Sequence, residues 1–151
     1  PLFSKLIEAG ATTLPITDKR MTRFWITLSQ GVDFVIQSLD RMHGGEIFIP
    51  KLPSMKIIDL AKAMLPNCEL KLIGIRPGEK LHEIMIPLEE SRMALEFDDH
   101  YVLEPAFPFW SKESYMEQDE CRRVGEGFEY SSETNEWFMT AEELQGFIKN
   151  F

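Results

Sequence analysis

An apolar run, Leu70-Lys71-Leu72-Ile73-Gly74, reads as a strand and stops against Ile75-Arg76-Pro77-Gly78-Glu79-Lys80-Leu81-His82-Glu83. Proline fixes a backbone angle and removes a donor, and glycine admits the left-handed region, so the pair breaks the strand and turns the chain. A guanidinium, Arg76, and a carboxylate, Glu79, are left on either side of that turn. The arrangement suits a nucleoside diphosphate: a planar fork can hold phosphate oxygens, and a carboxylate can accept from ribose hydroxyls. Taken alone, such a tetrapeptide is more often a surface turn with solvated charges. The rest of the chain has to decide.

Around this turn, short apolar strands alternate with amphipathic helices, the pattern of an α/β chain. Phe3 to Ala9 has helical spacing, with Gly10 placed to stop it. Thr13-Leu14-Pro15-Ile16-Thr17 predicts an extended segment that Pro15 confines to a sheet edge. A strong helix starts at Thr27, with Leu28, Val32, Val35, Ile36 and Leu39 on one face and Gly44-Gly45 at its end. Glu46 to Pro50 predicts a strand whose consecutive Ile47, Phe48 and Ile49 imply burial on both faces, as in a parallel sheet. Ser54 reads as the cap of a helix from Met55 to Leu65, and Lys80–Met85 as a further amphipathic helix. Further on, Phe97–Leu103 and Phe128–Ser132 predict strands. Phe107, Phe109 and Trp110 predict a core plug, and residues 111–126 an exposed stretch. Thr140 with Glu143 is a capping box that opens a last helix.

The totals exclude several classes. At 151 residues with 44% hydrophobic content, the chain can bury a real core. No apolar run reaches the length of a membrane span, which argues against a membrane partner. The opening Pro1-Leu2-Phe3-Ser4-Lys5 lacks the plan of a signal peptide and enters a helix directly, as a piece of a longer protein would. A net charge of −9 provides no basic footprint for nucleic acid. Cys68 and Cys121 stand far apart and read as reduced thiols of a cytoplasmic protein. An anionic ligand would have to be held by local arginines against the net charge.

Arg23, in Met21-Thr22-Arg23-Phe24-Trp25, is one such arginine. A cation in so apolar a setting needs a partner, either an acidic side chain or a phosphate. His43, His82 and His100 show no metal-ligand spacing and read as surface or packing residues. No Gly-rich phosphate loop, activated nucleophile or Tyr-x-x-x-Lys pair is present. The residues alone lead to an α/β segment with a pair of anion-binding arginines.

Four stretches read together go further. They are Leu14-Pro15-Ile16-Thr17-Asp18 with Met21 to Thr27, Phe48-Ile49-Pro50-Lys51-Leu52-Pro53-Ser54-Met55, Gly74 to Glu83, and Glu126 to Asn135. Their order and distances resemble the C-terminal half of the inverting UDP-N-acetylglucosamine 4,6-dehydratases, members of the extended short-chain dehydrogenase/reductase superfamily. The resemblance covers essentially the whole chain. It implies the C-terminal substrate-binding part of an extended Rossmann-type enzyme: short strands with flanking helices, without the N-terminal nucleotide-binding sheet. Residues 1–151 would form a single substrate-binding domain, in which a strand–helix segment, about 27–65, packs on the missing Rossmann domain.

The resemblance also implies roles. Arg23 and Arg76 would reach the diphosphate of a UDP-sugar, Glu79 would bind the uridine ribose, and Leu14, Pro15, Ile16 and Thr17 would lie against the uracil. The catalytic residues and the NADP-binding loop of the family belong to its N-terminal half, so this chain would bind no cofactor itself. In the parent enzyme, NADP takes hydride from sugar C4, water is lost across C5 and C6, and hydride returns to C6 with inversion at C5. This chain would supply grip and orientation for that chemistry. The alternatives are a sister UDP-sugar epimerase, or a truncated, non-catalytic binding or interaction module. The strand at Glu46–Ile49 would lack its sheet neighbours, and an exposed apolar edge invites association. The isolated chain is therefore expected to form a homo-oligomer through this region or to pair with its missing half. A monodisperse monomer exposing Ile47 and Ile49 would contradict that.

Overall fold

The structure is a computed structural model that describes residues 2–107, 115–117 and 121–149. In chain order its elements are α1 (Leu2–Glu8), β1 (Thr13–Ile16), β2 (Thr22–Phe24), α2 (Leu28–Arg41), β3 (Ile47–Pro50), β4 (Ser54–Lys56), α3 (Ile57–Met64), β5 (Glu69–Leu72), β6 (Ile84–Ile86), β7 (Ala94–Glu96), β8 (His100–Leu103), β9 (Arg122–Arg123), β10 (Tyr130–Ser131) and α4 (Ala141–Lys149). Tertiary contacts divide the chain into two compact units. The first comprises residues 1–25, 53–83 and 135–151, the second residues 26–52 and 84–134.

In the first unit, β1 and β5 form a parallel pair, with Leu14 opposite Leu70 and Ile16 opposite Leu72. Alternation along β1 sends Leu14 and Ile16 to one face, where both are fully buried against Ala61 of α3. Phe3, Leu6 and Ile7 of α1 and Ile57 and Ile58 of α3 close over them. The helix α1 ends as glycine dictates: Gly10 takes φ +81°, and the Gly10 and Ala11 amides donate back to the carbonyls of Ile7 and Leu6. An antiparallel pair, β2 with β4, sets Arg23 opposite Met55. The Thr140–Glu143 capping box is present at the start of α4, whose Leu144 packs on Met55 and Met139.

The second unit is built on an antiparallel sheet of order β3-β8-β7-β9. Leu95 and Val102, both fully buried, pack with Tyr115 against Phe48 and Phe97. His100 is buried beside Phe97, with ring centroids 4.6 Å apart, in the packing role expected of it. The β6–β10 pair is pinned through Tyr130, whose hydroxyl accepts from the Leu52 amide at 2.7 Å and donates to the Leu52 carbonyl at 3.2 Å.

Several expectations are corrected here. Ile47–Pro50 pairs antiparallel with β8, and Ile47 is exposed, so burial on both faces is not realised among the described residues. Ser54 caps no helix. It lies in β4, and its hydroxyl accepts from Asn135, while α3 begins at Ile57. No helix forms at Lys80–Met85, because the carbonyls of Lys80 and Leu81 are taken by the Arg23 guanidinium, and Ile84–Ile86 is a strand. Phe107 is exposed and plugs no core. Phe109 and Trp110 lie outside the described residues, as do 111–114 and 118–120, and Tyr115, in the stretch expected to be exposed, is buried on the sheet instead.

Tyr130→Phe removes the two hydrogen bonds that the hydroxyl makes to the buried Leu52 amide and carbonyl. Denaturant unfolding is expected to show a loss of about 1–3 kcal/mol, and an unchanged midpoint would mean that water replaces the hydroxyl.

Candidate functional site

Parallel strands deliver the residues that follow them to the same end of a sheet. Thr17 follows β1 and the loop from Ile73 follows β5, and the ladder extends one step as the Ile73 amide donates to the Ile16 carbonyl at 2.9 Å. The loop then turns at Arg76-Pro77-Gly78-Glu79. Gly78 has φ +80° and the Glu79 amide donates to the Arg76 carbonyl at 3.0 Å, as in a type II turn with proline leading. A side chain at position 78 would be strained by that φ although the space around it is open.

Glu79 is held at both oxygens. One accepts from the Arg76 amide at 3.1 Å, and the other from the Thr17 hydroxyl across a long 3.5 Å. Arg76 is exposed, and among the described residues its guanidinium makes no hydrogen bond or ion pair. Leu72, Ile73 and Ile75 leave large apolar surface exposed beside it. An uncommitted guanidinium, an anchored carboxylate and apolar surface therefore share one end of the β1–β5 pair. Chemically this can grip an anion and accept from hydroxyls, and it contains no group placed for acid–base or nucleophilic work.

The structure brings Thr17, Arg76 and Glu79 together. Leu14 and Ile16 turn their side chains into the core, so only their backbone is available to a ligand, whereas Pro15 and Thr17 lie on the other face and are half-buried. Arg23 resolves the choice posed by its apolar setting in favour of protein partners. Its Nη1 donates to the carbonyls of Thr22 and Leu81, Nη2 donates to Lys80, and Nε lies 3.3 Å from Glu83.

Two nearby features escaped the sequence reading. Thr22 is buried and its hydroxyl lies 2.7 Å from His82 Nδ1, a tie across the chain that no local pattern announces. Asp18 accepts from the Arg20 amide and, through both oxygens, from the Arg20 side chain. The Asp-x-Arg spacing could have signalled that turn, since aspartate readily bonds the backbone two residues on. In the second unit, an apolar groove runs along α2 between Ile26 and Ile36. Its lining has no charge to take a phosphate and is not the anion site.

The family model described as polysaccharide biosynthesis protein matches residues 1–105, and the chain belongs to that family. Over 154 aligned residues it is 50% identical to the inverting UDP-N-acetylglucosamine 4,6-dehydratase of Campylobacter jejuni serotype O:2, covering 99% of this chain and 46% of that protein. A UDP-glucose 4-epimerase of Rickettsia conorii is 38% identical over 105 residues, 67% of this chain and 30% of its own length. Among solved structures, Pen from Bacillus thuringiensis superposes with a TM-score of 0.80 at 30% identity, covering 99% of this chain and 44% of that one. The resemblance read from the four stretches is borne out, and the mixed α/β class with it. The chain spans a little under half the length of the dehydratase relatives it matches.

The hydrogen bonds from Arg20 pull the Asp18 carboxyl pKa down from 3.8 to about 2. Because the folded value is depressed, the stabilisation is present above the unfolded pKa and is lost as pH falls through the folded one. A carboxyl-detected NMR titration should place the Asp18 midpoint near 2, and Arg20→Ala, which removes the side-chain bonds and keeps the backbone amide donor, should raise it part of the way toward the ordinary carboxylate value. A midpoint near 4 in the unaltered protein would contradict the pairing.

Proposed function

We propose that this chain is the nucleotide-sugar-binding part of an NADP-dependent, C5-inverting UDP-N-acetylglucosamine 4,6-dehydratase of bacterial surface-glycan synthesis. The observation that carries the reading is the Arg76–Glu79 turn, with one charge uncommitted and the other anchored, in a chain 50% identical over nearly its whole length to such a dehydratase. Arg76 grips the diphosphate, Glu79 accepts from the ribose hydroxyls, and Thr17 holds Glu79 in place. The strand from Leu14 to Thr17 offers the uracil its backbone and the exposed side of Pro15. Arg23 belongs to the same site. The chain is the C-terminal substrate-binding part of an extended Rossmann-type short-chain dehydrogenase/reductase, acting in the cytoplasm as part of a homo-oligomer.

The Gly-rich dinucleotide loop and the Tyr-x-x-x-Lys pair have no counterpart in the sequence. NADP, which supplies the hydride chemistry, is accordingly held by the N-terminal part of the enzyme. The segment 27–65 packs on that part, and the state of α2 supports this: no α2 residue is buried, and Leu28, Val32, Val35, Ile36 and Leu39 form an exposed apolar stripe. A sister epimerase is the nearest alternative, and its lower identity over a shorter stretch places it second. A truncated, non-catalytic binding module is the alternative outside the enzyme class, and it predicts the same grip on UDP without turnover in any assembly.

Calorimetric titration with UDP tests the site. Arg76→Ala is expected to weaken binding by about ten- to a hundredfold, the loss of a charged hydrogen-bonding contact. Glu79→Ala should weaken UDP while sparing inorganic pyrophosphate. Unchanged UDP affinity in Arg76→Ala would remove that residue from the site, and equal loss of both ligands in Glu79→Ala would contradict its ribose role.

A further inference from the structure

Arginine has five N–H donors on a planar fork. In Arg23, three donate to backbone carbonyls, at 2.6 Å to Thr22, 3.0 Å to Leu81 and 2.9 Å to Lys80. The fourth, Nε, faces Glu83 at 3.3 Å, and the side chain is only 24% exposed. One Nη2 proton remains, too few for the two parallel bonds by which a guanidinium grips a phosphate. Two of the three carbonyls belong to Lys80 and Leu81, immediately after the Arg76–Glu79 turn. The Thr22 amide also donates to the Leu81 carbonyl at 3.2 Å, and the Thr22 hydroxyl meets His82. Strand β2 thus holds the segment 80–83 along its length, and that segment is otherwise irregular chain without a ladder of its own.

We infer that Arg23 is a positioning residue, whose guanidinium fastens the 80–83 segment to β2 and so presets the Arg76–Glu79 turn for the nucleotide. This rests on the nucleotide-binding reading and goes beyond it, because the resemblance implies a direct diphosphate contact at Arg23. The energetic logic is preorganisation: a turn already ordered loses less conformational freedom on binding. Arg76 and Glu79 ride on one turn, so releasing it weakens the grip on phosphate and ribose together. Loss of a phosphate contact alone would weaken only the phosphate end. Lysine cannot substitute. It keeps the charge, but a single nitrogen cannot span three carbonyls and a carboxylate.

The test compares Arg23→Ala, Arg23→Lys and Arg76→Ala by titration with UDP and with uridine, and by amide hydrogen exchange of the ligand-free protein. Both Arg23 variants are expected to speed exchange within 76–83 by about tenfold or more while the β1–β5 amides keep their protection. Both should weaken UDP and uridine by the same factor, whereas Arg76→Ala weakens UDP alone. Unchanged exchange at 76–83, or an Arg23→Lys variant that retains UDP affinity, would overturn the inference and return Arg23 to a charge contact. Should the unaltered protein bind neither ligand, the nucleotide reading itself fails, and exchange at 76–83 still decides whether Arg23 fastens the segment. Were Arg23→Ala to unfold the protein, Arg23→Lys, which keeps the aliphatic stem, carries the comparison.

Discussion

The first unit depends on a parallel pairing of two short strands. An antiparallel hairpin would send the chain after β1 and the chain after β5 to opposite ends of the pair, and Thr17 could not reach Glu79. Parallel pairing brings both to one end, and burial of Leu14 and Ile16 on Ala61 fixes the register that does so. A slip of one residue would turn Leu14 and Ile16 out of the core and Pro15 and Thr17 into it. Core burial and the meeting of Thr17 with Glu79 are therefore one constraint, expressed on the two faces of a single strand.

That end of the strand pair keeps charge in reserve. Asp18 is neutralised by Arg20 and Glu83 by Arg23, while Glu79 is anchored by an amide and a hydroxyl. Arg76 is left to face solvent. In a chain of net charge −9 the general field repels an anion, so attraction has to be local. A guanidinium held out on a stiff turn, beside apolar Ile73 and Ile75, meets that requirement. The exposed apolar stripe of α2, in the other unit, has no such chemistry.

Much of this was legible from residues whose structural role is local. Gly10 and the Thr140–Glu143 box work within one turn of their helices, and Pro15 restricts its own strand, so each could be read in place. The Arg76–Glu79 turn was legible for the same reason. Failures came where a distant partner decided. Lys80–Met85 has helical spacing, yet its carbonyls belong to Arg23, nearly sixty residues earlier in the chain. Ile47 to Ile49 has the composition of a doubly buried strand but pairs antiparallel with β8. Ser54 carries a cap-forming side chain, yet its hydroxyl meets Asn135 and its backbone extends a strand. In each case long-range hydrogen bonding overrode local propensity. The Thr22–His82 tie left no trace in the sequence because neither residue type demands the other.

The central claim is that the open end of the β1–β5 pair is a nucleoside-diphosphate site. Amide chemical-shift mapping during a UDP titration tests it most directly. The account predicts shifts concentrated at residues 15–18 and 74–79 that saturate together, with the α2 groove unaffected. Shifts confined to residues 26–36, or spread evenly without saturation, would contradict it.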